Sequence, residues 1–292
     1  MFMKRRLIKQ GQGGLTLTLP IDWIRKYNLS AGTEIELEDT ESGLLVSKEK
    51  IKTKKEIIIN LGKENKSRLR TAVSSAYRRG YDAITLKCTE KVSLIDMTEL
   101  VDSLVGFIIT EQEDKKVILQ NVMKDDFESV DSVINKFFQT IKYLQSVVLD
   151  FIVNNNGDVS EIIMLKSSVL KLRDYCQRTI HLNQHGQDRA FEYHALILLA
   201  EKYSANFVEL VINKNIKFDK NNLDLNHLEE INREYINLHQ SWLKKDLSTA
   251  LKLNEKISVL RKNLLTKAKN NLTAVLADNL FSLSSRMVAL LI

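Results

Sequence analysis

The chain has 292 residues, 44% of them hydrophobic, a net charge of +6, ten glycines and one proline. That length predicts more than one domain. Scarce glycine and proline beside abundant Leu, Ile, Lys and Asn predict a mainly helical protein, and two isolated cysteines, Cys88 and Cys176, exclude a disulfide framework and a Cys-x-x-Cys zinc site.

The opening residues, Met1 to Arg6, carry charge without an apolar run behind it, so no secretory signal is expected. No stretch reads as twenty apolar residues, and the expectation is a cytoplasmic protein without membrane insertion. Charge is uneven. Lys and Arg outnumber Asp and Glu by 6 to 1 in residues 1–26, by 11 to 7 in 1–55, by 10 to 10 in 56–122 and by 22 to 20 in 123–292. A basic end suits an anionic partner. It equally suits a strand edge kept soluble by cations.

In chain order, Lys4-Arg5-Arg6 leads into apolar strand positions Leu7, Ile8, Leu15, Leu17 and Leu19 around Gly11-Gln12-Gly13-Gly14. A hairpin turn needing positive φ explains those glycines. Pro20 sits where a helix begins, over Ile21–Lys26, since its missing N–H is harmless there. Ser30–Thr33 turns the chain into a strand at Glu34–Glu38, and Glu41-Ser42-Gly43 turns it back into Leu44–Val46. Residues 48–55, rich in lysine, read as a connector.

Residues 15–47, LTLTLPIDWIRKYNLSAGTEIELEDTESGLLVS, resemble the AbrB/MazE/SpoVT swapped-hairpin DNA-binding domain. The resemblance rests on the Leu-Pro step, Trp23-Ile24, the turn and the closing Gly43-Leu44-Leu45. The family's Gly-Asp turn is Gly32-Thr33 here. The resemblance implies a dimeric swapped-hairpin β-barrel in which neither chain closes its own barrel. It also implies DNA contacts from Lys4, Arg5, Arg6, Lys9, Arg25 and Lys26, to phosphates or base edges, with the arginines favoured over the lysines as base readers.

Residues 56–122 predict a β-α-β-α-β module. Strands fall at Glu56–Leu61, Asp82–Cys88 and Lys116–Val122. A helix carries Leu69, Val73, Ala76 and Tyr77, capped by Asn65 or Ser67 and ended by Gly80. A second begins at Ser93 with Leu100, Val101, Leu104 and Val105 on one face. No phosphate-binding glycine motif is present. The module reads as structural or dimer-supporting.

From Asp125 six amphipathic stripes follow, over about 130–151, 162–180, 191–210, 225–242, 247–264 and 272–291, separated by polar breaks. They predict an antiparallel six-helix bundle made of two similar halves. The runs VLKLRDYCQRTI (169–180) and LAEKYSANFVELV (199–211) resemble the second and third helices of the PhoU family, whose chain is two three-helix bundles in tandem. An AbrB-like head on such a bundle resembles an archaeal arrangement of phosphate-uptake-regulator type. The domains expected are 1–50, 51–123 and 124–292.

PhoU proteins hold metals with a Glu-x-x-x-Asp pair in each half, since i and i+4 share a helix face. Here the four positions fall on Glu201, Ala205, Phe281 and Ser285, with Glu209 two turns from Glu201. No metal and no cofactor are expected. His181 and His185 share an i, i+4 spacing but read as surface polar residues. His194, His227 and His239 read as packed or solvated, and Tyr235 and Trp242 as core. Nucleophile-elbow, zinc-protease, phosphate-loop and Cys–His patterns are all missing, so no enzyme is expected.

The favoured expectation is a cytosolic homodimeric transcription regulator, of phosphate uptake by resemblance, whose bundle senses a signal through transporter or kinase components. The alternative is a non-DNA-binding PhoU-like adaptor docking on a phosphate-transporter ATPase or a histidine kinase. An antitoxin role ranks last, because a folded bundle stands where a toxin-wrapping tail is needed.

Overall fold

The computed structural model describes residues 5–11, 13–40, 43–48, 54–62, 66–123, 128–154, 156–183, 187–213, 223–267 and 271–292. Of the described residues 65% are helical, and their small sheets do not close into a barrel. The chain divides into two compact units, Met1–Thr53 and Lys54–Ile292. Residues 54–123 and 124–292 lie in the second unit.

In the first unit, β1 (Leu7–Gln10) pairs antiparallel with β2 (Gly14–Leu17), and β3 (Glu36–Thr40) with β4 (Gly43–Ser47). Gly11 takes φ +64°, Gly32 +87° and Gly43 +143°, the conformations that glycine alone adopts freely. Between the hairpins lies α1 (Ile21–Lys26). Pro20 stands just before it with extended backbone, φ −61° and ψ 130°, and its carbonyl accepts from Trp23 and Ile24 N–H. The third strand begins at Glu36, two residues later than the pattern of Glu34–Glu38 predicts. The Ser30–Thr33 turn, closed by Thr33 N–H to Ser30 O and by Ser30 N–H to Thr33 Oγ1, delays it.

The second unit opens with β5 (Glu56–Leu61), α2 (Lys66–Arg78), β6 (Ala83–Cys88), α3 (Leu94–Asp102), β7 (Phe107–Glu113) and β8 (Lys116–Asn121). The sheet order is β5-β6-β8-β7, with β5 parallel to β6 and the other pairs antiparallel. The module therefore has one strand more than the expected β-α-β-α-β. Leu104 and Val105 are not on the helix: α3 ends at Ser103, and Gly106, at φ +81°, swings the chain into β7. Ser93 caps α3 as expected, its Oγ accepting from Asp96 N–H at 3.4 Å. Ser67 lies inside α2 rather than capping it, and Asn65 is outside the described residues.

The inner sheet face, with Ile84, Leu86, Val117 and Leu119, packs on Leu69, Val73 and Tyr77 of α2 and on Met97 and Leu100 of α3 in one apolar core. Six helices follow: α4 (Val130–Asn154), α5 (Val159–Leu182), α6 (Gln187–Ile212), α7 (Leu223–Leu243), α8 (Leu247–Lys267) and α9 (Asn271–Leu291). They fall where the six stripes predict. Within each set of three the helices pack on one another, and the halves meet through α4 on α7 and α6 on α9, first with first and third with third. One apolar core runs through all six.

Residues Leu272–Leu291 of α9 are long and apolar enough to cross a membrane by length and composition, contrary to the expectation that no such stretch exists. The physical reason is position. This helix packs on α6, α7 and α8, so Leu276, Leu280, Leu283 and Met287 are all fully buried in the core.

The module and the bundle join through α2 and α5. Arg178 of α5, 3% exposed, donates to the carbonyls of Tyr77 (3.0 Å) and Tyr81 (2.7 Å) and to Asp82 (2.7 Å). Its guanidinium lies over the Tyr77 and Phe107 rings. Buried Asp174 pairs with Arg78 and Arg173. Gly80, φ +77°, sits so close that a Cβ would come within 2.8 Å of Leu182.

Candidate nucleic-acid interface

The first unit brings exposed cations and exposed apolar strands together. Arg5 and Arg6 lead into β1, Lys9 lies within it, and Arg25 and Lys26 end α1; all five are exposed. Lys4 is outside the described residues. Among the described residues no salt bridge engages Arg5, Arg6, Lys9 or Arg25, and the Lys26 ammonium lies 5.3 Å from the Tyr27 ring centroid. Their charges are open to an external anion.

The register opposes Leu7 to Leu17 and Lys9 to Leu15, so those four side chains share a face of the first hairpin, while Ile8 and Thr16 take the other. Both faces are exposed: Leu7 61%, Leu15 64%, Ile8 56%. Leu37 and Leu44 of the second hairpin are exposed too. α1 has no buried residue. The hairpins and α1 make no extensive packing with one another. Among the described residues of this unit the apolar pattern stays uncovered, as at surfaces that bind a protein, a ligand or a membrane. The structure thus places the cations on a unit whose apolar faces are unfilled, but it does not gather Arg5, Arg6, Lys9, Arg25 and Lys26 into one hydrogen-bonded cluster.

Lys55, read from sequence as connector, belongs to the second unit. Its N–H donates to Asp82, and its ammonium reaches Arg79 O at 3.3 Å and His181 Nε2 at 3.5 Å. Burial, then the Lys55 charge, holds the His181 imidazole below its ordinary pKa. His181 is therefore a half-buried residue at the module–bundle junction rather than a surface one. Its spacing partner His185 is outside the described residues. Burial likewise lowers the pKa of His194.

At the positions homologous in spacing to a metal pair, Glu201 faces Arg173 at 4.0 Å, Phe281 lies under the Arg261 guanidinium, and Ser285 accepts from Asn254 Nδ2 at 3.0 Å. Among the described residues no group of three His, Cys, Asp or Glu side chains is placed to hold a metal. Cys176 is buried, which pushes its thiol pKa far up.

Sequence reasoning placed Tyr203 and Tyr235 on the apolar stripes and read His239 as packed or solvated, but it missed Glu234, Gln145 and the bonds these groups make inside the bundle. Glu234, fully buried, is held by Lys256 at 2.7 Å. Tyr203 donates to Gln145 (3.0 Å) and stacks on Tyr235, whose hydroxyl donates to Phe138 O. His239 bonds Asn135 Oδ1 at 2.9 Å, and burial pushes its pKa down to about 4. Each sits on an apolar stripe as a single polar interruption, a signal that stripe counting passes over.

Comparison with known proteins finds no matching family model, no matching curated protein and no matching solved structure.

Proposed function

We propose that the protein is a cytoplasmic homodimeric DNA-binding transcription regulator. The N-terminal unit grips DNA, and the helical bundle senses a signal or docks a partner. One observation carries this reading: the basic N-terminal unit exposes Leu7, Ile8, Leu15, Leu17, Leu37 and Leu44 in a single chain. Burying each such side chain contributes about 1.5–3 kcal/mol. A second copy offers the same hairpins in return, which is the self-complementarity a two-fold interface requires. Closing the two copies' hairpins into one barrel leaves Arg5, Arg6, Arg25 and Lys26 as the outward charge. The resemblance of residues 15–47 to swapped-hairpin domains supports the same assembly, and the PhoU-like stripes support phosphate uptake as the process regulated.

The test is DNA retardation by the full chain with its own upstream region over a salt series. Expected is tight binding that falls steeply as salt rises, weakened by Arg5→Ala with Arg6→Ala while the dimer mass persists. A folded dimer that fails to bind at low salt overturns DNA binding and favours an adaptor that docks its bundle on transporter or kinase components.

A further inference from the structure

The two edges of the four-stranded sheet are built differently. β7 carries a bulge between Ile109 and Glu111, and Glu111 and Glu113 break its pattern. These are devices that discourage strand addition. β5, Glu-Ile-Ile-Ile-Asn-Leu, has neither bulge nor proline and, among the described residues, pairs on one side only, with β6. Lys55 O accepts from Ala83 N–H, and Leu61 O accepts from Thr89 N–H. Odd-numbered residues therefore turn their backbone groups toward β6. By alternation, the N–H and C=O of Glu56, Ile58 and Asn60 point out of the open edge. The Ile58 side chain at the centre is 58% exposed.

We infer that β5 pairs antiparallel with β5 of a second copy, joining two modules into one continuous sheet. The inference rests on the homodimer reading above. The strand is nearly palindromic about Ile58. Self-pairing there sets Ile58 against Ile58, Ile57 against Ile59 and Glu56 against Asn60. No like charges meet. Every outward N–H and C=O of Glu56, Ile58 and Asn60 then finds a partner. Moving the centre by one residue sets Lys54 against Asn60, or Gly62 against Glu56, and spends part of the strand on residues outside it. Ile57 and Ile59, partly buried against the module's core, extend that core across the junction. A second copy is favoured over a foreign strand by the tether: β5 follows the N-terminal unit directly, and a short link of this kind raises the local concentration of the second β5 to about the millimolar range.

The experiment uses the full chain carrying Cys88→Ala and Cys176→Ala, with Ile58→Cys or, as an exposed control on α8, Ser248→Cys. Directly opposed residues of a bonded pair lie about 5.5 Å apart at Cα. A short bismaleimide is expected to join Ile58→Cys chains about tenfold faster than Ser248→Cys chains. Amide exchange on the unaltered chain reads the same contact without mutation, with Glu56, Ile58 and Asn60 expected to be protected. A dimer by light scattering with cross-linking at the control rate and unprotected β5 amides overturns β5 pairing and leaves the hairpin dimer standing. A monomer overturns both.

Discussion

The two units use the same alphabet and reach opposite ends. In the bundle, apolar residues at helical spacing become a core: Val133, Phe137, Ile141 and Leu144 are wholly buried. In the N-terminal unit, apolar residues at strand spacing remain in the open, with Leu15 64% exposed. The difference is geometric. Six helices supply enough faces to cover one another, whereas a pair of short hairpins and one turn and a half of helix do not. An apolar pattern says that a face is to be covered. It does not say by which chain.

Breaking the two cores should therefore give different concentration dependences. The largest effect is expected from Arg178→Met, which removes the buried guanidinium that Asp82 and the Tyr77 and Tyr81 carbonyls share. Unfolding of the second unit should become easier by about 3–5 kcal/mol, read by denaturant titration, at every protein concentration. Phe137→Ala should cost about 3–5 kcal/mol in the same assay, again independent of concentration. Leu15→Ser, in contrast, should leave the second unit's unfolding unchanged and lower the dimer mass on dilution. A concentration-dependent Phe137→Ala or a dilution-proof Leu15→Ser would erase the contrast between the units.

Protonation sharpens the picture within the bundle. His239 titrates near 4 in the folded protein, pushed down by burial, against 6.5 when exposed. As pH falls below 6.5 the unfolded chain takes up a proton that the native one refuses. His239 alone should lower stability by up to about 3 kcal/mol between pH 6.5 and about 4, and His181 and His194, also held down by burial, should add to the fall. His239→Gln should flatten that slope in urea titrations across the range, beside the unaltered chain. The smallest effect is expected from Ser93→Ala, which removes the α3 cap and should cost about 1 kcal/mol in thermal unfolding.

How much was legible depended on how much of each signal is local. The six bundle helices were visible because each stripe repeats over several turns and ends at polar breaks such as Asn154–Asp158. β7 was not. Its apolar run Phe107–Ile109 is brief, its second half is Thr110–Glu113, and Leu104 and Val105 just before it mimic the end of a helix stripe. The basic residues of the candidate interface were legible as charge. That no described residue forms an ion pair with Arg5, Arg6, Lys9 or Arg25 was not.

Composition and periodicity by themselves determined the helical character, the positions of six helices and the basic N-terminus, because these depend on neighbours a few residues apart. Only the tertiary structure decided which faces found cover. It set β5 at one sheet edge with its outward backbone groups unpaired and β7 at the other with a bulge. It packed α9 on α6, α7 and α8, tied α5 to α2 through Arg178, and left the hairpin leucines exposed. Burial is a property of what lies opposite a residue in space, and no local pattern carries that information.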